Sequence, residues 1–196
     1  GADGLLIVTP YYNKCTQDGL VAHYAAIGDA VELPIIVYNV PGRTGVNVLP
    51  ATMKKLSGVK NVIGLKEASA NIEQITETAR LCPDIDLYSG NDDHVLSLLA
   101  LGGKGVISVV ANVCPKEMHD LCTAWFEGDI ARCRALQFML NPLTKLLFSE
   151  VNPIPVKSAM NMLGFDAGIP RLPLTPLTEA NAEKLSEKLA SLGISG

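Results

Sequence analysis

Five short apolar runs, rich in β-branched residues and spaced about one strand-plus-helix unit apart, constrain this chain more than any other feature. They occupy residues 4–9, 34–38, 62–66, 85–89 and 105–109. Most are continuous rather than alternating, as expected of strands buried on both faces of a parallel sheet. Helical patterns lie between them. Residues 16–31 place Leu20, Tyr24 and Ile27 on one face, and residues 71–81 place Ile72, Ile75 and Ala79, with Asn71 and Gln74 set as a capping pair. A shorter apolar pattern covers residues 94–101. Crossovers of this length call for parallel pairing, so residues 1–112 read as about five βα repeats. A closed eight-unit barrel takes ~250 residues, whereas an open doubly wound sheet could be complete with five strands. Strand count alone leaves both open.

After Pro115 the strand pattern stops. Pro115-Lys116-Glu117 opens a helix with proline at the first helical position. Helical patterns follow over residues 128–147, 154–163 and 178–192, with a Pro/Gly-rich connector at 164–176. This helical tail is a candidate second domain.

Composition sets the outer limits. With 48% hydrophobic and 18% charged residues the chain can build an ordinary core. Its net charge is −4 and no basic run exceeds two residues, which argues against a nucleic-acid or anionic-membrane surface. No stretch has the length and apolarity of a transmembrane helix. The first residues lack the basic start and small-residue cleavage site of a signal peptide. The five cysteines (Cys15, Cys82, Cys114, Cys122 and Cys133) are odd in number and include no C-x-x-C pair. That argues against a disulfide framework or zinc site and favours a reducing cytoplasm. The first strand begins by residue 5 with no preceding Met, so the chain reads as a piece of a longer protein.

Ligands in parallel α/β folds bind beyond the C-terminal ends of the strands. Lys66 falls there, after four apolar or glycine residues. A lysine ending a buried strand is either compensated or desolvated. Desolvation lowers its pKa and makes it a nucleophile able to form a Schiff base with a carbonyl. The alternative is a rim lysine paired with Glu67 or another acid. Tyr38 ends the neighbouring strand and could relay protons, or simply set its hydroxyl in water. Arg43, in the turn Pro41-Gly-Arg-Thr-Gly45, could hold a carboxylate by a two-pronged bond, or be an ordinary loop arginine. Weaker candidates are set aside. Gly102-Gly-Lys-Gly105 precedes a strand, so it reads as an αβ turn and not a phosphate loop. Asn91-Asp-Asp-His94 reads as helix caps rather than metal ligands. His23 and His119 have no hydrolase partners.

Taken together, Tyr38-Asn-Val-Pro-Gly-Arg-Thr-Gly45 and Ile63-Gly-Leu-Lys-Glu67 resemble the paired signatures of the dihydrodipicolinate synthase family. The stretches Val8-Thr-Pro-Tyr-Tyr-Asn-Lys14, Tyr88-Ser-Gly-Asn-Asp92 and Gly102-Gly-Lys-Gly-Val-Ile-Ser-Val109 fit the same family. The resemblance spans essentially the whole chain and is densest from Gly4 to Asn112. It implies a (β/α)8 TIM barrel, of which this chain would supply about the last five βα units (residues 1–128), followed by a C-terminal helical domain (129–196).

The resemblance also implies roles. Lys66 would form the imine with pyruvate, with Tyr38 as the proton relay. Tyr12 would reach across a dimer interface into a neighbouring site. Arg43 would bind the carboxylate of L-aspartate 4-semialdehyde. Gly90, through its backbone, and Ile107 would line the pyruvate pocket. Tyr11 would sit in the region where lysine inhibits many members. No metal or organic cofactor is called for, since the protonated imine is the electron sink. The expected assembly is a homotetramer, a dimer of dimers. Sibling pyruvate aldolases of the sugar-acid or N-acetylneuraminate lyase type share the lysine and tyrosine but generally lack arginine in this turn. An inactive barrel fragment is the non-enzyme alternative. One departure is Cys15, where the family usually has proline.

Overall fold

The computed structural model describes residues 1–194. The chain divides into two compact units, with the break between Ile107 and Ser108.

The first unit is a five-stranded, wholly parallel sheet. Its strands are β1 (Leu5–Val8), β2 (Ile35–Asn39), β3 (Val62–Glu67), β4 (Asp86–Ser89) and β5 (Gly105–Val106). Their spatial order is β1-β2-β3-β4-β5. A doubly wound sheet reverses its order at a switch point. Here the order never reverses, so the sheet is an arc wound one way, and right-handed crossovers place the helices on one face. This is barrel topology, and it decides between the two architectures that strand count had left open.

The helices are α1 (Gln17–Ala30), the single turn α2 (Pro41–Thr44), α3 (Pro50–Leu56), α4 (Ile72–Leu81) and α5 (Val95–Leu99). The Thr16 side chain caps α1 by accepting from Gly19 N. Asn71 caps α4 by accepting from Gln74 N at 3.1 Å. The core lies between the sheet and these helices. Ile35, Val37, Leu65 and Leu87 pack against Leu20, Tyr24, Met53, Leu56, Ile75 and Leu98. The Tyr24 hydroxyl, buried among them, donates to the Ile7 carbonyl at 2.8 Å.

Four expectations need correction. The strands are not equally buried on both faces: β2 alternates between fully and partly buried residues, because only the helix side carries a packed layer. The fifth strand pairs only through Gly105–Val106, since Ser108 Oγ accepts from Ala111 N at 2.8 Å and opens a 3-10 turn at Val110–Asn112. Helix α3, with Pro50 at its first turn, has no counterpart in the periodicity, because seven residues show too little of a 3.6 repeat. Asn91 does not cap through its side chain; its backbone N–H and C=O instead meet the Ser89 hydroxyl. The 102–105 segment is the αβ turn expected, with Gly103 N donating to Leu98 O and Lys104 N to Leu87 O.

The second unit is helical: α6 (Pro115–Phe126), α7 (Ile130–Leu147), α8 (Ile154–Met162) and α9 (Glu179–Ser191). Pro115 does open α6. Asp129 caps α7 by accepting from Arg132 N at 2.9 Å. Helix α9 buries Leu185 and Leu189. Its start is tied down by Glu150 Oε1, which accepts from the Thr178 hydroxyl (2.6 Å) and Asn181 Nδ2 (2.7 Å). Among the described residues no helix is long and apolar enough to cross a membrane.

Candidate active site

One register row crosses the whole sheet: Val8, Tyr38, Lys66, Tyr88 and Gly105 are successive Cα partners. Side chains in one row share a face, here the face away from the helices. Lys66 Nζ stands 4.1 Å from the centre of the Tyr38 ring, within cation–π range. Burial pushes the Lys66 amine below its ordinary 10.5, and the Asp92 carboxylate opposes that shift. Burial pushes the Tyr38 phenol above its ordinary 10.0, and the Arg43 charge opposes it. An amine so lowered reaches its neutral, nucleophilic form sooner, while a phenol so raised keeps its proton and can donate it to a departing hydroxyl.

The row behind this one answers the question of Lys66's partner. Glu67 follows Lys66 and therefore faces the helices, where it is buried. Its oxygens accept from Asn39 Nδ2 at 3.2 and 3.0 Å and from Ser69 N at 2.6 Å. The acid acting on Lys66 is Asp92, itself 1% exposed, from the turn after β4.

Arg43 rides on α2, whose geometry is fixed locally. Gly45 closes the turn at φ 71, a left-handed conformation suited to glycine, and its N–H donates to Pro41 O at 2.9 Å. The Thr44 hydroxyl accepts from Val46 N and from Thr9 Oγ1 (3.1 Å), so the turn is pinned to the end of β1.

The other expected residues lie at the strand ends. Tyr11 and Tyr12 follow β1 and are 66% and 91% exposed; Tyr12 holds φ 64, uncommon for a non-glycine residue. Gly90 follows β4, and its N–H is committed to Glu67 O at 2.7 Å. A Cβ there would meet Ala68 Cβ at 2.7 Å, so only glycine fits. Ile107 follows β5 and donates to Ser89 O at 2.9 Å. Among the described residues no group of three or more His, Cys, Asp or Glu is placed to hold a metal ion.

Sequence reasoning missed Tyr88 and Asp92. Tyr88 occupies the position in β4 that Tyr38 holds in β2, one residue before the strand's end, so a comparison of strand ends could have found it. Asp92 had no such signal, because its approach to Lys66 depends on β3 and β4 being neighbours.

Residues 1–192 match the model of the dihydrodipicolinate synthetase family. The chain is 60% identical over 195 residues to the 4-hydroxy-tetrahydrodipicolinate synthase of Caldicellulosiruptor bescii, covering 100% of this chain and 66% of that protein. It is 59% identical over 194 residues to the enzyme of the same name from Caldicellulosiruptor saccharolyticus, covering 99% and 66%. The crystal structure of dihydrodipicolinate synthase from Thermotoga maritima superposes with a TM-score of 0.94 at 50% identity, covering 99% of this chain and 68% of that one. The chain thus spans about two thirds of the length of the curated relatives it matches, 66% for each of these two. Fold, family model and relatives converge: the chain belongs to the dihydrodipicolinate synthetase family.

Proposed function

We propose that this chain carries the imine-forming half-site of a lyase that condenses pyruvate with L-aspartate 4-semialdehyde to 4-hydroxy-tetrahydrodipicolinate, in lysine and diaminopimelate biosynthesis. The observation that carries this reading is the desolvated Lys66 amine 4.1 Å from the Tyr38 ring, at the C-terminal ends of adjacent parallel strands. In this reading the Lys66 nitrogen attacks the pyruvate C2 carbonyl. Tyr38 donates the proton that lets water leave, and the protonated imine loses a methyl proton to become an enamine. The enamine carbon then bonds to the aldehyde carbon of the semialdehyde. Attack by the semialdehyde's own amine on the imine carbon closes the ring and frees Lys66.

Arg43 takes the semialdehyde carboxylate, a role supported by its influence on Tyr38. Gly90 lines the keto-acid pocket with its backbone and leaves it room by lacking a side chain, its N–H being used by the sheet. Ile107 supplies apolar lining. Tyr12 extends toward the site of a neighbouring subunit, in keeping with its exposure, and Tyr11 belongs to a lysine-responsive region. The working assembly is a homotetramer in the cytoplasm. Residues 1–128, which group α6 with the strands, form the barrel portion, and 129–196 the helical domain. The relatives named as synthases, together with Arg43 in its turn, favour this reading over a sugar-acid aldolase.

Borohydride reduction in the presence of pyruvate tests the proposal. A stable adduct on Lys66, absent in Lys66→Ala and diminished when the semialdehyde is added first to turn over the enamine, is the expected result. No adduct at saturating pyruvate would refute it for this chain.

A further inference from the structure

Tyr38 and Lys66 are each followed in their strands by a buried polar residue, Asn39 and Glu67, and these two are themselves register partners. We infer that Asn39 and Glu67 form a register lock, a pair of positioning residues that hold Lys66 against Tyr38 from the far side of the sheet. The inference rests on the proposed imine chemistry only for its catalytic consequence.

The β2–β3 pairing needs such a device. Ile35 pairs with Val62, but Ile36 pairs with Gly64, so Ile63 is an extra residue at an irregularity near the start of the strand pair. Having accommodated one shift, the pair could slip again, and a one-residue slip turns every side chain to the opposite face. A slip of β3 would carry Lys66 to the helix side and bring Glu67 or Leu65 opposite Tyr38. The lock sits at the other end of the ladder, where backbone pairing finishes with Ala68 N donating to Asn39 O at 2.8 Å.

Its hydrogen bonding leaves little room for another register. Asn39 Nδ2 donates to both Glu67 oxygens and lies 3.0 Å from Asn47 Oδ1, while Asn39 Oδ1 accepts from Val48 N at 3.0 Å. Asn47 and Gln74 exchange hydrogen bonds of 2.7 and 3.1 Å through their side-chain amides. The Asn47 carbonyl accepts from Gln17 Nε2 at 2.8 Å. The end of β3 is thereby tied to β2, to the segment before α3, and to helices α1 and α4. A buried carboxylate that lost these donors would bear its full desolvation cost, so a slipped register is strongly disfavoured.

Glu67→Gln breaks the lock with little change of shape. One terminal oxygen can still accept from Ser69 N, but the amide nitrogen that replaces the other faces Asn39 Nδ2, 3.0 Å from that position, donor against donor. The swap Asn39→Asp with Glu67→Gln restores the contact between these two residues with donor and acceptor reversed, while giving up the donor to Asn47 Oδ1. Two readings apply to each variant: the pH midpoint of Lys66 labelling by a small acylating reagent, which needs no substrate, and the rate of borohydride-trapped imine with pyruvate. Glu67→Gln is expected to raise the labelling midpoint toward 10.5 as Lys66 gains water, and to slow trapping about 10-fold or more, as for a misplaced reacting group. The swap is expected to recover both. A purely electrostatic role of the carboxylate would move the midpoint downward, and a purely structural one would lower the melting temperature without moving it. Either result, or a swap that recovers neither reading, overturns the lock. If Glu67→Gln does not fold, Asn39→Ser is read in the same two ways. If the unaltered chain traps no pyruvate, the proposed function falls while the labelling arm still decides the lock.

Discussion

Lys66 shows how opposed forces set one residue's chemistry. Burial disfavours its charged form and Asp92 favours it, with burial the larger of the two. The folded pKa therefore lies below the unfolded value of 10.5. Between these two values the unfolded chain binds more protons, so stability rises with pH across that window. Below it, at neutral pH, the charged amine is a burden on the fold. Asp92→Asn removes the opposing charge, so it should lower the labelling midpoint of Lys66 further and deepen its cost to stability at pH 7. A pH series of trace acylation read by peptide mass spectrometry measures the first, and urea unfolding at pH 7 the second. A midpoint that rises would remove Asp92 from the site. Position and type were enough to single out Lys66 in the sequence, but its partner was not legible there. The acid next to it in sequence, Glu67, faces away, and the acid that acts on it comes from the next strand's turn.

At the scale of elements, legibility followed period and length. Helix α4 could be read because ten residues repeat an apolar face and Asn71 marks its start. Only half of the expected capping pair formed: Asn71 accepts from Gln74 N, but the Gln74 side chain turns to Asn47. Asn71→Ala should therefore cost about 1 kcal/mol, the worth of a single N-cap, and raise amide exchange in the first turn of α4. A loss well below that in chemical denaturation would mean the cap is already satisfied by water. Helix α3 was not legible and the short β5 was legible only at its start, for opposite reasons. The first is too brief to show a repeat, and the second begins in an apolar run that continues beyond its pairing because Ser108 turns the chain away. That Tyr38 and Lys66 end neighbouring strands was legible in the sequence; the full order β1 to β5 came with the coordinates, and with it the row that extends through Tyr88.

For the first unit as a whole, the consequence of a one-way arc is that its two faces differ. The helix side is closed over a dense apolar core, whereas the side bearing Tyr38 and Lys66 leaves apolar surface open, with Leu6 46% exposed; Ile63, the extra residue at the β2–β3 irregularity, is 45% exposed. These residues explain why the strands read as continuous apolar runs: both faces are apolar, but only one is covered in this chain. Exposed apolar surface beside strands promotes association. Threonine suits strands while reducing apolar area. Leu6→Thr with Ile63→Thr should therefore lower light scattering at a fixed protein concentration, and should do so without a large loss of melting temperature, since neither side chain is in the packed core. Unchanged scattering would place the sticky surface elsewhere. A large drop in melting temperature would show that this face is covered in solution, through self-association of the chain, and that the open surface exists only in the isolated molecule.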